Sequence, residues 1–249
     1  MEVIAIVNRK GGVGKTATAQ ALGAGLRKKK KKVLYIDLDS QTNLTYGLGA
    51  DAAGLNSMDV LTGEAKAKEA IQHTEQGDVI AGSETLAGAD AIIDGTGKEY
   101  RLKEAIDGLQ YDYIIIDTPA QLGTLTVNAL TAANSVIIPV QADVYSLQGI
   151  GQLNQAIEAV KKYCNKGLTI RGILITRYNA RAVISRDMQS NLEDAAKQLK
   201  TRLYKTPIRE CVSIKEAQAT QIDIFSYAPR SNAAQDYEAF LKEFTERKK

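Results

Sequence analysis

Residues 8–18 read N-R-K-G-G-V-G-K-T-A-T. The stretch Gly14-Lys15-Thr16 looks like the close of a phosphate-binding loop, whose usual pattern is G-x-x-x-x-G-K-[ST]. Counted back from Gly14, the first glycine of that pattern falls on position 9, which holds Arg9, followed by Lys10. Gly11, Gly12 and Gly14 allow the tight turn and close backbone approach that a phosphate requires. The backbone of Gly11, Gly12, Val13, Gly14, Lys15, Thr16 and Ala17 can then wrap the phosphates at the start of a helix. Lys15 would reach the β and γ phosphates, and the Thr16 hydroxyl would ligate Mg²⁺. A glycine-rich turn without a ligand is the plainer alternative, and Lys10 has no place in the ordinary pattern.

Two acidic motifs follow. Tyr35-Ile-Asp37-Leu-Asp39-Ser-Gln41 puts two carboxylates at the end of an apolar run, suited to Mg²⁺ and to orienting an attacking water. Ile114-Ile-Ile-Asp117-Thr-Pro119 puts a third there, suited to anchoring the metal, usually through water. Pro119 ends that run by removing a backbone donor. Acids at such ends also serve as simple turn caps.

Positioning these groups needs strands that feed loops. Val3–Val7, Val33–Asp37, Val79–Ala81, Tyr113–Asp117, Ser135–Val140, Ile170–Thr176 and Leu203–Lys205 read as strands. Helical patterns run from Lys15 to about Lys29, after Ser57 through Glu64–His73, and over Tyr100–Leu109, Thr124–Ala133, Leu147–Tyr163, Ser185–Leu199 and Asn232–Arg247. The strands are apolar on both faces, as a helix-covered parallel sheet requires. The alternation predicts an α/β fold, a doubly wound, mostly parallel sheet flanked by helices on both faces. Ligands bind at the carboxyl ends of such strands, where all three motifs fall. With 249 residues and no Pro/Ser/Gly-rich linker, one domain over 1–249 is expected.

Composition narrows the chemistry. Cys164 and Cys211 lack metal-ligand spacing, and the single His73 has no evident partner, so disulfides, zinc and Ser-His-Asp catalysis find little support. A reduced, intracellular setting fits. Thirty-two basic residues against 29 acidic ones leave +3, too balanced to argue for nucleic acid by itself. No apolar run approaches the ~18–20 residues that span a bilayer.

Together K-G-G-V-G-K-T, D-L-D-S-Q and I-I-I-D-T-P resemble the ParA/MinD family of deviant Walker-A ATPases, P-loop NTPases of the SIMIBI type. L-G-T-L-T-V-N-A-L-T-A-A at 122–133, V-I-I-P-V-Q at 136–141 and I-T-R-Y-N at 175–179 extend the likeness over nearly the whole chain, closest to small Soj-like partition proteins. The resemblance implies ATP and Mg²⁺ as cofactors and an ATP-bound homodimer with two nucleotides between the subunits. It implies that Lys10 crosses to the partner's phosphates, that Asp39 positions the water, and that Asp117 is the strand-end acid at the metal. Supplying charge in trans would couple hydrolysis to dimerisation. Ser40, Ala120 and Ala17 depart from the family's usual residues without removing a charged group.

The resemblance also implies a choice of surface. Partition members bind DNA non-specifically and answer to a ParB-like centromere-binding partner in plasmid, mobile-element or chromosome segregation, cytoplasmic and nucleoid-associated when ATP-bound. Only nine residues precede Lys10, so an N-terminal helix-turn-helix module is not expected. The family's DNA-contacting arginine maps to Arg181. A second maps to Ser213, with Lys215 as the nearby substitute; Arg171, Arg186 and Arg202 are weaker candidates. Such contacts are sequence-independent and salt-sensitive. MinD-like members bind membrane through a terminal amphipathic helix; Tyr237, Phe240, Leu241 and Phe244 have that spacing, with Lys242, Arg247, Lys248 and Lys249 beside them. A packed last helix explains them better, so no membrane partner is expected. Iron–sulfur members need cysteines near 85–125, where there are none. A non-hydrolysing ATP-binding scaffold is a further alternative. Arg177, Pro207 and Arg209 map to the adenine side; the arginines could flank the base or be ion-paired on the surface. The basic run Arg27–Lys32 invites reading as a DNA patch, but a solvated helix terminus that complements the dipole is favoured.

Overall fold

The computed structural model describes residues 1–179 and 183–246. Seven strands, β1 (Glu2–Ile6), β2 (Val33–Asp37), β3 (Ile71–Thr74), β4 (Gly77–Ile80), β5 (Tyr113–Asp117), β6 (Ser135–Gln141) and β7 (Thr169–Thr176), form one sheet in the order β3-β4-β2-β5-β1-β6-β7. All neighbours pair in parallel except β3 with β4. The helices are α1 (Lys15–Lys28), α2 (Asn43–Gly47), α3 (Ser57–Thr62), α4 (Ala89–Ile92), α5 (Arg101–Ala105), α6 (Thr124–Ala132), α7 (Val144–Tyr163), α8 (Val183–Gln198), α9 (Val212–Ala219), α10 (Ile224–Tyr227) and α11 (Asn232–Thr245).

Alternate residues of each central strand enter opposite cores, which is why these strands are apolar throughout. On one face Val3, Ala5, Leu34, Ile36, Ile114 and Ile116 pack with residues of α5 to α8. On the other, Ile4, Ile6, Tyr35 and Ile115 pack with α1 and α11. Tyr237, Phe240, Leu241 and Phe244 of α11 are all buried in this second core, so the stripe that resembles a membrane anchor is filled by the protein itself. Among the described residues, no helix is long and apolar enough to cross a membrane.

Local chemistry corrects three expectations. The helix expected through Glu64–His73 stops at Thr62. Asn56, not Ser57, caps its start in a capping box with Asp59, and Gly63 ends it at φ 85°. His73 lies instead in β3, an antiparallel edge strand. The helix expected at Tyr100–Leu109 shortens to a 3₁₀ turn and α5. Leu203–Lys205 makes only a single bridge, Leu203 to Ile173. Tyr204 still donates its N–H to the Ile173 carbonyl, but Lys205 and Thr206 then leave the ladder and donate theirs to the Glu243 carboxylate. The basic run behaves as a helix terminus. Arg27 donates to the Glu75 and Gln76 carbonyls, Lys28 pairs with Glu238 at 3.5 Å, and Lys29 donates to Thr245.

Candidate active site

The loop 7–14 leaves the carboxyl end of the central strand β1 and enters α1. Gly12 and Gly14 take φ values of 73° and 81°, in the left-handed region where a side chain would be strained. Lys15 and Thr16 open α1 at the floor of a cleft of about 820 Å³. Gly11, Gly12, Gly14, Lys15, Thr16, Ala17 and Asp39 line that cleft. Val13 points into the core instead, 1% exposed.

The acids at the strand ends separate by role. Asp37 is fully buried and its oxygens are committed: Oδ1 accepts the Asp39 N–H at 3.0 Å, and Oδ2 accepts the Thr45 N–H and hydroxyl at 2.9 and 2.7 Å. Burial pushes its carboxyl up to about 6. Asp39 is only half-buried and lines the cleft, with Oδ1 tethered by the Gln41 N–H at 3.0 Å. Asp117 accepts the Thr16 hydroxyl on Oδ2 at 2.6 Å, while its buried Oδ1 has no partner among the described residues. Burial, then the Asp37 carboxylate, push Asp117 up to about 8. Burial also lowers the Lys15 ammonium, opposed by Asp117 and Asp39.

An orphaned carboxylate oxygen beside a hydroxyl is a donor set that fits a hard cation. Thr16 and Asp117, with Asp39 across the cleft, are the residues that could hold Mg²⁺ against a nucleotide. The proton linkage has a definite sign. A carboxyl raised in the folded state contributes stability below its unfolded value near 4, and that contribution is lost as pH rises through about 8. A cation needs the ionised form. The extra thermal stabilisation that Mg²⁺ adds to the ADP-bound protein is therefore expected to be larger at pH 8 than at pH 6. Scanning fluorimetry with and without chelator checks it, and an increment that shrinks with pH counts against the assignment.

The remaining predicted residues divide. Arg177, at φ 49°, folds back over the loop; its guanidinium donates to the Gly12 carbonyl at 3.3 Å and to Glu210 at 2.7 and 3.1 Å. Arg209 is tied bidentately to Asp236 of α11 at 2.6 and 2.8 Å. Pro207 and Arg209 do not line the cleft, whereas Ile208 between them does. Lys215, considered for DNA, sits on α9 at the cleft wall. Arg171 pairs with Glu2 and lies over the Phe244 ring. Arg181 and the terminal Arg247, Lys248 and Lys249 lie outside the described residues.

Lys10 is the loop lysine that does not line its own cleft. Its ammonium is paired with Asp143, whose other oxygen caps α7 through the Ser146 N–H at 3.1 Å. Its backbone N–H is held by Asn8, which in turn donates to the Pro139 carbonyl.

A family model described as an AAA domain matches residues 1–170. The sporulation initiation inhibitor protein Soj of Bacillus subtilis is 41% identical over 249 residues, covering 97% of each chain. The chain belongs to the ParA/MinD family of deviant Walker-A ATPases. The chromosome partitioning protein ParA of Myxococcus xanthus is 34% identical, covering 98% of this chain and 88% of its own. Among solved structures, a Mycobacterium smegmatis protein described as cobyrinic acid a,c-diamide synthase, with bound ADP and magnesium, superposes with a TM-score of 0.83. It is 34% identical and is covered over 93% of its length by 97% of this chain.

The cleft of this ParA/MinD-family member has a wall that sequence reasoning missed. Tyr46 of α2, Glu210, Cys211, and Ile214, Gln218 and Ala219 of α9 all line it. Tyr46 donates to the Ala219 carbonyl at 3.3 Å, closing that side. The one available signal was the apolar pair Ile208 and Ile214 flanking the charged segment. It is too sparse for a helical period, and α9 has no capping side chain at its start.

Proposed function

We propose that this chain is a Mg²⁺-dependent partition ATPase acting as a single P-loop domain over 1–249. ATP binds in the cleft over Gly11–Ala17, with the base against the apolar wall of Ile208, Ile214 and Ala219. Magnesium, when bound at Thr16 and Asp117, neutralises charge on the phosphate oxygens. Asp39 orients a water for in-line attack on the γ-phosphorus; the bond to the β-γ bridging oxygen breaks, giving ADP and phosphate. Lys10 completes the charge clamp from the opposite subunit of an ATP-bound homodimer.

The observation that carries this reading is the position of Lys10. A lysine in the phosphate loop that does not line its own cleft, held beside it by a partly exposed Asp143, can exchange that carboxylate for the phosphates of a second subunit. The partition names of the Soj and ParA relatives and the bound ADP and magnesium of the M. smegmatis neighbour support the same reading. The dimer holds DNA by its phosphates without sequence preference, is released on hydrolysis, and is stimulated by a ParB-like partner, in the cytoplasm and on the nucleoid. The packed apolar face of α11 weighs against the MinD-like membrane rival.

DNA retention tests it. Binding to random-sequence duplex is expected with ATP and not with ADP. It should fall on the order of 10²-fold between about 50 and 200 mM salt if about four phosphates are contacted. Retention indifferent to nucleotide and salt rejects the partition reading. Phosphate release followed in the same samples separates an ATPase from a non-hydrolysing scaffold.

A further inference from the structure

A phosphate loop works only if its amides point inward, and the peptide group makes that a question about carbonyls. In a trans peptide the C=O of one residue and the N–H of the next point in opposite directions. No cis peptide is present among the described residues. Holding a loop carbonyl outward therefore aims the following N–H into the cleft. Among the described residues, the N–H groups of Gly12 to Thr16 donate to no protein acceptor. The carbonyls paired with the Val13, Gly14 and Lys15 N–H groups are captured. The Gly12 carbonyl accepts from Gln141 Nε2 and from Arg177, each at 3.3 Å. The Gly14 carbonyl accepts the Thr18 N–H of α1 at 2.9 Å. The Val13 carbonyl accepts the Thr176 hydroxyl at 2.6 Å.

We propose that Thr176, the last residue of β7, is a positioning residue for the nucleotide's phosphates, acting through the Val13 carbonyl to aim the Gly14 N–H into the cleft. The inference rests on the reading that this loop holds the phosphates. Three features single out Thr176. Among the described residues, Gly12 has two donors, so either can stand in for the other, whereas Val13 has this one. Thr176 is 2% exposed, so water does not readily replace its hydroxyl. The contact is also close enough to sense the loop's shape: a Cβ placed on Gly14 would lie 3.7 Å from the Thr176 Cβ. The hydroxyl is also 3.1 Å from the Val140 carbonyl, but one proton serves one acceptor well, and Val13 is nearer. Thr176 ties two sheet-end elements together, so the loop's donors are set before a ligand arrives.

Thr176→Val keeps the branched shape and removes the donor. Its dissociation constant for Mg-ADP, measured by calorimetry, and its KM for ATP are expected to rise about tenfold, the scale of one lost buried hydrogen bond. The kcat at saturating ATP is expected to stay within about twofold. Thr176→Ser should return both binding constants to within about twofold of wild type. Should the valine variant fail to fold, Thr176→Ala carries the same comparison against Thr176→Ser. Wild-type binding constants in the valine or alanine variant overturn the proposal. So does an equal rise in the serine variant, which would make the methyl group, not the hydroxyl, the cause. A fall in kcat with binding unchanged overturns it too. If wild-type protein binds neither ADP nor ATP, the phosphate-loop reading fails instead, a separate outcome.

Discussion

Lys10→Ala is expected to bind ATP within about threefold of wild type as a monomer and to lose ATP-dependent dimerisation. Within one subunit, the loop amides, Lys15 and Thr16 line the cleft and Lys10 does not. Removing Lys10 therefore subtracts little from binding in cis. In a dimer, its ammonium would meet phosphate oxygens in a site closed to water. Truncating one member of such a pair costs roughly 2–5 kcal/mol and leaves the other charge unanswered. That weakens the dimer by about 30- to 4,000-fold for each of its two clamps. The variant also strips Asp143 of its partner, at little cost to the monomer. Asp143 keeps the Ser146 N–H and hydroxyl, and its side chain is partly open to water. Light scattering with ATP and a slowly hydrolysed analogue reads the result. Dimers as stable as wild type would remove Lys10 from the partner's site.

The parts of this site that chemistry confines to a few residue types could be read from the sequence. A loop that must take positive φ needs glycine, and Gly12 and Gly14 take it. A strand buried on both faces must be apolar throughout, so Tyr113–Asp117 and Val33–Asp37 stand at the bounds their pattern predicts. Residue types alone do not assign which of two neighbouring acids faces the cleft; only the family resemblance singles out Asp39. Asp37 and Asp39 alternate along the chain, yet only the placement of Thr45, eight residues beyond Asp37, makes Asp37 a buried structural acceptor.

The misread elements share another cause. Segment 64–70 is rich in Ala, Lys and Glu, all good helix formers, but Gly63 ends α3 and an edge strand takes up Ile71–Thr74. Tertiary pairing there overrides a weak local preference. Arg209 shows the same limit in side chains. Its type suits an adenine neighbour, yet the Asp236 carboxylate, 27 residues further along the chain, holds it. Thr176 is the converse: a plain strand-end threonine whose contact with Val13 spans 163 residues.

Asp39→Ala is expected to bind ATP, to dimerise, and to hydrolyse slower by about 10²- to 10³-fold, so that the ATP-bound dimer accumulates on DNA. The size follows from losing a positioned group that orients and deprotonates the attacking water. The choice of Asp39 over Asp37 rests on geometry. Both oxygens of Asp37 are occupied and it is sealed from solvent, so no water can reach it. Asp39 borders the cleft, and the Gln41 N–H holds Oδ1 in a fixed orientation. The substitution also removes a carboxylate that favours the charged form of Lys15, which burial alone disfavours. Asp39→Asn is thus a needed companion, because it keeps an acceptor for Gln41 while losing the charge. Both variants should show the same hydrolytic defect if the charge on Asp39 acts on water. Hydrolysis is read by phosphate release under saturating ATP, and the dimer by light scattering. A wild-type rate in either variant would move the role to another group. A slow rate with no dimer would instead make Asp39 a determinant of nucleotide-dependent assembly, contrary to the role assigned here.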